Sequence, residues 1–74
     1  MRKKVEMLLQ QATWKVESLE KSLKAEMESM TYEASIGNVN YVKSTCERIE
    51  QIRRELTIYK SYQSELETIL KMED

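Results

Sequence analysis

Gly37 is the only glycine in this 74-residue chain, it stands at the chain's midpoint, and no proline accompanies it. A chain without proline can run as helix almost throughout, and the residue that tolerates positive φ marks where such a helix ends most cheaply. Asn38 and Asn40 follow at once, and both are good N-cap types for a second helix. A turn is therefore expected over about residues 36–40, between a first helix over about 3–36 and a second over about 40–72.

The apolar pattern supports two helices. Val5, Leu9, Ala12, Val16, Leu19 and Leu23 follow one another in steps of four and three, which keeps one face of a helix inward. The stripe breaks at Glu26 and resumes at Met27, Met30 and Ala34. Beyond the turn, Val42, Ile49, Ile52, Leu56, Leu66 and Leu70 keep the same rhythm, with Tyr59 as an aromatic member and Thr45 and Gln63 as polar ones. Each half carries about four heptads.

Folding the chain back at Gly37 tests whether the two stripes can meet. If residue n of the first helix faces residue 75 − n of the second, Val5 meets Leu70, Leu9 meets Leu66, Val16 meets Tyr59, Leu19 meets Leu56 and Leu23 meets Ile52. Turn chemistry and apolar period are separate signals, so their agreement on one register carries weight. Two pairs are poor, Ala12 with Gln63 and Glu26 with Ile49. Glu20 and Arg53 share a flank in this register and are expected to form an ion pair. Arg2, Lys3 and Lys4 at the first helix's N-terminus and Glu73 and Asp74 at the second's C-terminus each oppose the helix dipole, and a hairpin makes the two clusters neighbours that offset each other. The competing arrangement, one continuous helix in a long intermolecular coiled coil, puts Gly37 in mid-helix at about 1 kcal/mol.

The expected fold is all-α: a single helical-hairpin domain over residues 1–74, an antiparallel two-helix coiled coil that dimerises into a four-helix bundle. Seventy-four residues make a small core, and a chain of this size commonly completes it with a second copy. With 41% hydrophobic and 34% charged residues the chain is too apolar for a disordered segment.

Several function classes are disfavoured. A formal net charge of -1 supplies no bulk attraction to nucleic acid or anionic lipid. Lys43, Arg48, Arg53 and Arg54 are interleaved with Glu47, Glu50 and Glu55, as on a solvated helix face. Basic residues beside Leu8, Leu9 and Trp14 are diluted by Glu6, Glu17 and Glu20, which argues against a membrane-surface helix, and no run reaches the roughly 18 apolar residues of a membrane span. The chain has no histidine, and its one cysteine, Cys46, lacks an imidazole to activate it; it is expected as a packed or half-buried thiol. No catalytic residue, metal site, cofactor or small-molecule substrate is expected, and a single cysteine suits the cytoplasm.

Two helices hide only one narrow seam, and this chain has apolar residues to spare. Met27, Met30, Ile36, Val39, Tyr41 and Cys46 lie beside the turn. Leu8, Tyr62 and Ile69 share a flank toward the termini, while Met7 and Trp14 point further outward. All but Cys46 are candidate protein-interface positions, for a second copy of the chain, for a different protein, or for both. The expected function is a non-enzymatic protein–protein interaction module, a small adaptor, regulator or chaperone-like binder. A structural or assembly subunit is the next reading, and a nucleic-acid-associated regulator the third.

Overall fold

The computed structural model describes residues 1–73, the side chain of Glu73 excepted, and they form two helices, α1 (Arg2–Ser35) and α2 (Val39–Glu73). The turn lies where the glycine placed it. Gly37 takes φ 77, the Gly37 N–H donates to the Ala34 carbonyl at 3.1 Å, and the Asn38 N–H donates to the Glu33 carbonyl at 3.0 Å. These are the two hydrogen bonds of a Schellman stop, with glycine at the left-handed position. Of the two candidate caps the structure uses Asn38, whose Oδ1 accepts from the Tyr41 N–H at 3.3 Å while its Nδ2 donates to Glu33 at 3.1 Å. One residue thus closes α1 and opens α2, and the continuous-helix alternative is overturned at this point.

The helices pack antiparallel into a rod of 55 × 14 × 13 Å. Its radius of gyration is 16.7 Å, against about 11 Å for a compact globule of this length. Two apolar clusters line the seam. Val5, Ala12 and Leu66 form the one near the termini, with Leu8, Leu9 and Leu70 against it. Val16, Leu19 and Leu56 form the central one, with Leu23, Ile52 and Tyr59 against it. The expected partners share a cluster in each case, and the cross-seam hydrogen bonds of Gln63 to Thr13 and of Arg48 to Glu26 each fall within one position of the predicted register.

Polar side chains interrupt the seam at the two places where the pairing is poor. Gln63 turns its amide past Ala12 and donates to Thr13 Oγ1 at 2.9 Å. Glu26 is held by Arg48, whose Nε and Nη2 each lie 3.2 Å from Oε2, and Arg48 Nη2 also reaches Thr45 Oγ1 at 2.9 Å. Thr45 is fully buried, and its hydroxyl has a partner.

Two expectations are corrected. Glu20 lies 4.0 Å from Lys60, not against Arg53. Helical side chains lean toward their own N-terminus, so across an antiparallel seam Glu20 leans away from Arg53 and toward Lys60, one heptad further along α2. Cys46 is exposed, not packed, with its Sγ 3.4 Å from Met30 Sδ. The expected offset of the basic N-terminus by Glu73 and Asp74 falls outside the described residues; within them, Arg2 Nε donates to Glu6 at 3.1 Å.

Candidate protein-binding surface

The seam divides the rod into two lateral flanks. On one, called here the Lys60 flank, lie the Glu20–Lys60 pair and a groove of about 360 Å³ lined by Met27, Met30, Cys46, Ile49, Glu50 and Arg53. On the other, the Tyr62 flank, lie the Ser29–Tyr41 hydrogen bond of 2.9 Å and a groove of about 290 Å³ lined by Leu8, Gln11, Ala12, Lys15, Tyr59 and Tyr62.

The candidates beside the turn do not make one patch. Met27 and Met30 go to the Lys60 flank, where Met30 is half-buried against Cys46. Tyr41 goes to the Tyr62 flank and is engaged within the hairpin: it shares its hydroxyl with Ser29, and the Arg48 guanidinium stands 5.8 Å from its ring centroid. The Glu26 hydrogen bonds, supported by the Glu26 charge, hold the Arg48 guanidinium above its ordinary pKa despite some desolvation. Ile36 and Val39 sit either side of the Gly37–Asn38 turn, both exposed at the tip of the rod. Met7 (60% exposed) and Trp14 (59%) lie one heptad apart on α1, on the side facing away from the seam.

The terminal candidates do come together. Tyr62 and Ile69 stand on one side of α2, and half-buried Leu8 faces them from α1. Ile58 (65% exposed) and Met72 (80%) extend the same side of α2, four residues before Tyr62 and three after Ile69. Neither belongs to the set expected from sequence. The signal was available: positions 58, 62, 65, 69 and 72 follow the same four-and-three rhythm as the seam, broken only by Glu65. This second stripe lies roughly a quarter-turn around α2 from the seam. Tyr32 and Met1 are two further exposed apolar side chains outside the expected set.

Among the described residues, no group of three or more His, Cys, Asp or Glu side chains converges as a metal site would, and no helix is long and apolar enough to cross a membrane. No family model matches the chain, and comparison with curated proteins and with solved structures finds no match.

Proposed function

We propose that the chain is a non-enzymatic protein-binding module, a small adaptor or regulator whose apolar Tyr62 flank is covered by protein in its working state. The observation that carries this reading is the surface left over. The hairpin exposes 5797 Å², whereas a compact protein of its mass exposes about 4,800 Å². The surplus is close to one partner's share of a standard interface, about 800 Å². Part of it is the second stripe of α2, and large apolar side chains in a row beside a groove are what protein interfaces bury at their centres. An exposed, unpaired Cys46 suits a reducing compartment, so the cytoplasm is the proposed setting.

A photo-crosslinking side chain placed at Ile69, and for comparison at Glu50 on the charged flank, tests the reading in cells that make the protein. Discrete protein adducts from position 69 and few from position 50 are expected. A chain that forms no adduct at position 69 and stays monomeric at every concentration is not a protein-binding module of this kind.

A further inference from the structure

We infer that the occupant of the Tyr62 flank is a second copy of the chain, docked flank to flank with both Gly37 turns at the same end. The inference rests on the protein-binding reading above and names its partner. Three observations carry it.

The first is a difference between the flanks. On the Lys60 flank and the strip of surface next to it, α1 presents Glu6, Glu17, Glu20 and Lys24, and α2 presents Lys43, Glu50, Arg53 and Lys60, all of them exposed. Apolar side chains join them toward the turn, at Met27, Met30 and Cys46, while the Tyr62 flank carries fewer charges, at Lys4, Lys15, Arg48, Glu55 and Glu65. In its turn half α1 presents Ser18, Ser22, Ala25 and Ser29, small side chains in steps of four, three and four, with the exposed Tyr32 three residues beyond them. In its terminal half α2 presents the stripe from Ile58 to Met72. Small residues let a neighbouring helix approach closely, and an apolar stripe a quarter-turn from the seam is what a helix needs to touch two neighbours in a four-helix bundle.

The second observation is charge complementarity. The terminal half of the Tyr62 flank carries Lys4 and Lys15 on α1 and Glu65 on α2. A two-fold axis along the rod sets α1 of each copy beside α2 of the other at the same height, where residue n again stands level with residue 75 − n. Glu65 of one copy then falls beside Gln11 of the other, between its Lys4 and Lys15, and Leu8 falls between the second copy's Tyr62 and Ile69. The small residues of α1 face the larger Arg48, Gln51 and Glu55 of α2. A two-fold axis across the rod does worse in both of its forms. With the rods fully overlapped, the stripe from Ile58 to Met72 lies against the polar turn half of α2. With only the terminal halves overlapped, Glu65 opposes Glu65 and the lysines oppose each other.

The third is area. Each hairpin exposes about 1,000 Å² more than a compact fold of its mass, so hiding that excess on two chains buries about what a stable dimer requires. The parallel arrangement covers the flank along its whole length, whereas overlap of the terminal halves alone, though it sets the two Ile58–Met72 stripes against each other, leaves the turn halves uncovered.

Sedimentation equilibrium on the whole chain and on two charge-inserting variants tests the face. Wild type is expected to dimerise, Ile69→Glu to raise the dissociation constant at least tenfold, and Trp14→Glu, on the back of α1, to leave it within about twofold. Circular dichroism confirms that both variants remain helical, as substitution at exposed sites should allow. The orientation is read from spin labels on Asn40→Cys in a Cys46→Ser background. Turns at the same end place the labels about two helix diameters apart, roughly 20–30 Å; turns at opposite ends separate them by nearly the 55 Å of the rod when the rods overlap fully and by more when only the terminal halves do. A monomer at all concentrations, a dimer insensitive to Ile69→Glu, or the long distance each overturns the inference. In any of these cases, crosslinking of Ile69 to a different protein would leave the binding reading standing.

Discussion

At the scale of single residues, Gly37 and Asn38 do most to decide the shape. The left-handed φ of 77 is strained for any side chain, yet a Cβ added at Gly37 meets no heavy atom within 4 Å. The cost of Gly37→Ala is therefore almost purely conformational, and urea unfolding should show a loss of about 1–2 kcal/mol. A D-alanine introduced by synthesis should restore the stability, since it favours that φ; a loss of the same size with D-alanine would point to packing. Asn38→Ala removes the side-chain acceptor for the Tyr41 N–H and the donor to Glu33, and should cost about 1 kcal/mol. The turn was legible because glycine and asparagine carry their backbone preferences with them. The role of Arg48 was not: it depends on a glutamate 22 positions away, and only the folded register brings the two together. Replacing the whole half-buried pair, Glu26→Leu with Arg48→Met, should raise Tm and reduce its sensitivity to salt, whereas Glu26→Leu alone strips the Arg48 guanidinium of its carboxylate and should be less stable than the double variant.

Between elements, the unit of stability is the layer across the seam. Leu19 and Leu56 belong to one buried cluster and Leu66 to the other. Truncating any of these to alanine should cost about 2–4 kcal/mol. A double-mutant cycle on Leu19→Ala and Leu56→Ala should show coupling of at least about 0.5 kcal/mol, while Leu19→Ala with Leu66→Ala should be additive within about that amount. Coupling in the second pair and none in the first would mean that the register is wrong. The layers could be read from sequence because apolar period and turn position fix them jointly. The polar layers could not be read in detail. Gln63 was visible as a defect opposite Ala12, but its hydrogen bond goes to Thr13, and that choice is made by rotamer and helix azimuth. The pairing of Glu20 with Lys60 escaped for the related reason that flank contacts depend on which way side chains lean.

For the whole molecule, the hairpin leaves the Lys60 flank the more heavily charged, with apolar Met27, Met30 and Cys46 toward its turn end, and gathers small side chains and a second apolar stripe on the Tyr62 flank. Half of that asymmetry was legible. Leu8, Tyr62 and Ile69 emerged from the sequence as a shared flank, whereas Ile58 and Met72 lie further from the seam than the positions first considered, and the grouping of all the turn-end residues dissolved once their azimuths were fixed. In the proposed dimer a second copy lies along the Tyr62 flank and makes a bundle of four helices without lengthening the rod. Small-angle X-ray scattering across a concentration series tests this most directly. The expected result is a particle with the mass of two chains and a maximum dimension close to that of one hairpin, whose Cα trace spans 55 Å. A one-chain mass at every concentration would contradict the account, as would a particle approaching the roughly 110 Å of a continuous 74-residue helix.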